Sequence, residues 1–146
     1  MFFQNGESSL KLEIVNYEFP ADGGTPGSDD RNWLVLRGTY TDEEGRVIRD
    51  TSPCLLTYEL RELTAGLKVL CAGVKDLYES SFVEPYFELS AEAGEEGSFL
   101  VSVSFVLANT MEDIDQAEVE CVLTGPELRA LIGELDGLCA KFPDRK

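Results

Sequence analysis

The chain has no histidine among its 146 residues. That removes the commonest general base, the commonest transition-metal ligand and any Ser-His or Cys-His nucleophile pair. A second absence is regional. From Asp76 to Leu128 there is no Lys or Arg, while thirteen carboxylates fall in the same window. The formal net charge is −16, and the other 93 residues hold 15 acids against 12 bases, so the imbalance is local. A fold with one strongly negative region repels nucleic acid and anionic membrane, and it speeds the encounter of basic partners.

Other absences narrow the class further. Met1-Phe2-Phe3-Gln4-Asn5-Gly6-Glu7 has no basic stretch leading into an apolar run, so no signal peptide is expected. No segment approaches the roughly 20 apolar residues of a membrane span. Cys54, Cys71, Cys121 and Cys139 match no CxxC or zinc spacing. Three of them fall on apolar stripes, which predicts buried free thiols and, with the features above, the cytoplasm. There is no GxxxxGK[ST] and no GxGxxG, so no cofactor is implied, and no basic patch for nucleic acid.

What is present reads as one globular domain, long enough to bury about two-thirds of its unfolded surface. The apolar fraction of 43% is too high for a disordered acidic tail. Residues 10–19 alternate, with Leu10, Leu12 and Ile14 on one face; the phase then shifts to Val15, Tyr17 and Phe19, as a bulge requires. Residues 20–31 have the Pro, Gly and Asp content of a loop. Residues 32–41 form a second strand, Asp42 to Gly45 a turn, and residues 46–50 a short third strand. Leu56, Leu60, Leu63, Leu67, Leu70, Val74 and Leu77 recur at spacings of four and three, predicting a helix over about 56–74 whose last turn Gly73 weakens. Residues 84–91, 98–108 and 116–123 alternate as three more strands. Thr124-Gly125-Pro126-Glu127 reads as a capping box, and Leu128, Leu131, Ile132, Leu135, Leu138, Cys139 and Phe142 line the helix it opens, which Pro143 stops.

The expected fold is therefore α+β, in the order β-β-β-α-β-β-β-α. It would have a mostly antiparallel sheet of about six strands, two amphipathic helices covering one face, and no internal repeat. The opposite, solvated face would carry Glu84, Tyr86, Glu88, Ser90, Ser102, Ser104, Gln116, Glu118 and Glu120. Carboxylate pairs could act on a sugar, but with 28 acids such pairs arise by chance. Asp29-Asp30 and Glu112-Asp113-x-Asp115 do not fit the spaced calcium loop, so no metal is expected. Trp33 fits a core residue or an interface anchor, and Tyr86 fits packing under a loop or partner contact.

Five segments, in order, resemble a known family. They are Tyr17-Glu18-Phe19-Pro20; Asp30-Arg31-Asn32-Trp33-Leu34; Ser52-Pro53-Cys54-Leu55-Leu56-Thr57-Tyr58-Glu59-Leu60; Phe82-Val83-Glu84-Pro85; and Phe142-Pro143-Asp144-Arg145. Over about residues 8 to 145 the chain resembles the WapI-like immunity proteins of bacteria, linked to wall-associated polymorphic toxins. It departs from that pattern in the turn Asn109–Gln116. The resemblance implies a cytoplasmic, non-enzymatic protein that binds and neutralises a toxin domain, often a nuclease and therefore basic. The expected contact residues are Glu84, Tyr86, Glu88, Glu118 and Glu120, with Asp113 and Asp115 at the rim. Two alternatives stand beside this: a carboxylate-based small-ligand or sugar-acting protein, and a structural homodimer joined through a sheet face at Leu100 and Val106.

Overall fold

A computed structural model describes every residue from Met1 to Lys146. Eight strands and two helices follow in the order β1 (Phe2–Asn5), β2 (Ser8–Tyr17), β3 (Trp33–Thr41), β4 (Val47–Leu56), α1 (Thr57–Cys71), β5 (Leu77–Glu79), β6 (Phe87–Ala93), β7 (Phe99–Val106), β8 (Gln116–Leu123) and α2 (Gly125–Lys141). The α+β class stands, but the single six-stranded sheet does not. There are two antiparallel four-stranded sheets, β1-β2-β3-β4 and β5-β6-β7-β8, each strand paired with its sequence neighbour. The same ββββα order thus occurs twice, without an internal repeat in the sequence.

The two strands absent from the sequence reading are β1, of four residues, and β5, of three. Segments that short complete too little of a two-residue period to be told from loop. The longer strands follow the alternation. The expected bulge lies at Val15, where pairing steps from Ile14–Leu36 to Asn16–Val35. The third strand is longer than predicted, running to Leu56 through Pro53, which an edge strand tolerates.

The helix ends have local causes. α1 closes with a Schellman motif: Gly73 adopts φ +76°, its N–H donates to the Leu70 carbonyl, and the Val74 N–H donates to the Val69 carbonyl. α2 opens with the predicted capping box, in which Thr124 Oγ1 accepts from the Glu127 N–H at 3.2 Å and Glu127 Oε1 accepts from the Thr124 N–H at 3.0 Å.

One continuous core joins the inner faces of both sheets to the apolar stripes of both helices. Phe3, Leu10, Leu12, Leu34 and Leu36 come from the first sheet, and Phe87, Leu89, Val101 and Phe105 from the second. Leu60, Leu63, Leu67, Leu128 and Leu135 come from the helices. The helices pack on each other, and both touch the second sheet, α1 at β5 and β6 and α2 at β8, while α1 also reaches β4 of the first. Sheet-to-sheet approach is close enough that a Cβ on Gly38 would meet the Phe105 ring at 2.7 Å.

Candidate functional site

Because inward positions are apolar, the other residue of each pair points outward. On the second sheet this alternation builds a set of rows. Glu79 pairs with Ser90, Ser90 with Ser102, and Ser102 with Glu120. In the next row Glu88 pairs with Ser104 and Ser104 with Glu118. In the row on the other side Leu77 pairs with Glu92, Glu92 with Leu100, and Leu100 with Val122. Small serines in the middle and glutamates to either side produce a trough of about 830 Å³. Five carboxylates line it, those of Glu79, Glu88, Glu92, Glu118 and Glu120, with no basic residue among the lining. Leu77 lines it, and the rest of that row flanks it with apolar surface: Leu77 is 49% exposed, Leu100 37% and Val122 63%.

The residues expected at the partner surface divide. Glu88, Glu118 and Glu120 do come together in the trough. Glu84 and Tyr86 precede β6, which starts only at Phe87. Tyr86 is half-buried against the core, and its carbonyl accepts from the Val106 N–H, so the alternation that set it beside Glu88 does not extend that far. Asp113 is held by Arg46, with Nη1 to Oδ1 at 2.9 Å, and Glu112 lies 3.8 Å from the same nitrogen. Asp115 is exposed in the turn before β8, where its carbonyl accepts from the Leu107 N–H. Arg46 also holds Asp42 at 2.8 Å and keeps that carboxyl below its usual range. The negative window is thus only partly gathered: five of its thirteen carboxylates line the trough, while others cap α2 or pair with Arg46.

Glu79 and Glu92 were missed. Glu79 sits on the three-residue strand. Glu92 was legible, because Glu88, Ser90 and Glu92 continue one alternation that the predicted strand end at Ala91 cut short.

The residues that carry the family resemblance do not line the trough. Four of the five segments meet at the C-terminal tail. Asn32, buried, donates from Nδ2 to the Arg145 carbonyl at 2.9 Å, and its Oδ1 accepts from the Arg145 N–H at 2.7 Å and from Thr57 Oγ1 at 3.1 Å. The Arg145 guanidinium lies 3.4 Å from the Tyr17 ring centroid and donates to the Phe19 carbonyl at 3.0 Å. Tyr17 donates to the Pro143 carbonyl, and Arg61 pairs with Asp144, whose carboxyl it holds below the usual range. The fifth segment docks through Glu59: this carboxylate, 2% exposed, accepts from the Leu56 N–H at 3.0 Å and the Val83 N–H at 2.8 Å. Burial nevertheless raises its pKa. These motifs close the fold; Trp33, half-buried, belongs to the same neighbourhood on β3.

No group of three or more His, Cys, Asp or Glu side chains is placed to hold a metal ion. All four cysteines are free; burial pushes Cys54 up to about 12 and raises Cys121, so both are thiols at neutral pH. No helix is long and apolar enough to cross a membrane.

Comparisons with known proteins complete the picture. The crystal structure of WHY3 from Arabidopsis thaliana is similar, with a TM-score of 0.50 and 18% identity, over 97% of this chain and 86% of that one. That of WHY1 from the same plant gives 0.48 and 14%, over 97% and 83%. The likeness to WHY3 speaks for the fold alone. No curated protein matches the chain. The immunity protein WapI-like family matches residues 1–143. With that match spanning nearly the whole chain, and with the quoted segments placed as the contacts that close its fold, the chain belongs to the immunity protein WapI-like family.

Proposed function

We propose that this protein is a non-enzymatic cytoplasmic immunity protein that neutralises a toxin domain by receiving a basic segment of it in the trough of the second sheet. The observation that supports this reading is the trough lining: five carboxylates and no cation. Exposed ion pairs contribute about 0.2–1 kcal/mol each, so charge would chiefly accelerate and orient the encounter. Leu77, Leu100 and Val122 would then supply the apolar contact that slows dissociation. A toxin that cleaves nucleic acid is a fitting partner, because a surface made for phosphates is basic.

The test is stopped-flow association with the cognate toxin domain. Reversing Glu88 and Glu118 together to Lys leaves the circular dichroism spectrum unchanged and lowers the on-rate about 10-fold or more at low salt. An unchanged on-rate rejects this surface.

Concavity is the one observation that favours the small-ligand alternative. A saccharide site, however, needs an aromatic platform, and none of the thirteen residues around the trough is aromatic. Titration with oligosaccharides that leaves the thermal midpoint unmoved would remove that reading.

A further inference from the structure

The first sheet has an outward face of opposite character. Phe2 pairs with Lys11, Lys11 with Thr39, and Thr39 with Arg49. In the adjacent row Glu13 pairs with Arg37 and Arg37 with Thr51. Lys11, Glu13, Arg37, Thr39 and Arg49 surround a shallow cavity of about 390 Å³ with no hydrophobic lining. Glu13 is shared by Lys11 at 3.9 Å and Arg37 at 3.4 Å, and Arg49 has no ion-pair partner. Three cations against one carboxylate make this face positive within a chain of net charge −16. Two exposed apolar residues, Phe2 and Val47, each 57% exposed, lie at its margins.

The geometry points to a head-to-tail contact between copies of this chain, the basic face of the first sheet seating on the acidic trough of the second sheet of a neighbour. Both surfaces are outer faces of four-stranded antiparallel sheets, with Thr39 or Ser102 and Ser104 at the centre of the rows. Their charges are opposite, and apolar residues flank both. At physiological salt, fields are screened beyond about 8 Å, so facing side chains rather than net charge decide at contact. The contact is heterologous: a pair keeps one free face of each kind, one on either copy, and association continues into a ring or an open chain. A basic toxin would compete for the trough and release single copies.

Sedimentation velocity of the full chain over a wide concentration range tests this. The weight-average mass rises about twofold or more with concentration, and the rise is lost in about 1 M salt. Arg37→Gln with Arg49→Gln abolishes it, as does Glu88→Gln with Glu118→Gln. Mixing the two variants restores association but stops at a pair, because each retains one competent face. A wild-type chain that stays monomeric throughout overturns the inference. So does a dimer that survives both pairs of substitutions, or a mixture that fails to pair. Toxin association by the Arg37→Gln, Arg49→Gln variant is a separate readout, and it stays intact whether or not self-association is found.

Discussion

Among single residues, Glu59 carries the most unusual burden. Its carboxylate is buried at the start of α1 and is the acceptor for two backbone N–H groups, one of them from the segment before β6. Removing it as Glu59→Ala leaves both donors without a partner, and the expected loss is on the order of 1–3 kcal/mol by urea unfolding. The pH dependence has a definite sign. Burial lifts the folded pKa above the ordinary 4.5, so the folded state binds the proton more readily than the unfolded one. This group's contribution is fully present below about 4.5 and is lost as pH rises through the folded pKa. The stability gap between the wild type and Glu59→Ala should therefore widen on acidification through that window. A gap that narrows there would contradict the assignment. Nothing in the chain's periodicity marks Glu59 as buried, since an acid near a helix start is ordinary on an exposed turn.

At the scale of elements, the C-terminal tail is a clasp across the first sheet and α1. Asn32 bridges it to the body with three hydrogen bonds, and the partners lie 113 residues away in the chain or on α1. Asn32→Ala is expected to cost on the order of 2 kcal/mol and to raise hydrogen exchange in residues 142–146 before the rest of the molecule. Uniform exchange across the chain would show that the clasp is not a separate cooperative unit. The Arg61–Asp144 pair is a smaller contributor, because both side chains are about half exposed. The long strands, both helices, the Val15 bulge and the Thr124 cap were legible because each expresses a local period or a cap of a few residues. The tail clasp was not. Its residues belong to short segments without a local period, and no spacing rule connects Asn32 with Arg145.

For the whole molecule, charge is the dominant variable. Twenty-eight carboxylates stand against twelve cations, and the trough sets five of the carboxylates on one face without a counter-ion. Self-repulsion then opposes the compact state and is relieved by screening. The thermal midpoint should rise between about 20 mM and 500 mM sodium chloride, where the Debye length falls several-fold. A midpoint that falls with salt would mean that attractive pairs such as those of Arg46 outweigh the repulsion. Association with a basic partner should move the opposite way, slowing as salt rises.

The amino-acid sequence alone determined the regional excess of carboxylates, the apolar periods and the absence of imidazole, because composition and period are properties of neighbouring residues. It therefore foretold strands, helices and a negative surface. The tertiary structure alone decided that the strands divide into two sheets, that Glu79 joins Glu88, Glu92, Glu118 and Glu120, and that Arg46 withdraws Asp113 from the acidic surface. It also decided that the cations of the first sheet share a face of their own. Each of these depends on which distant segments lie side by side, and pairing between strands is settled by packing of the common core rather than by any one segment's sequence.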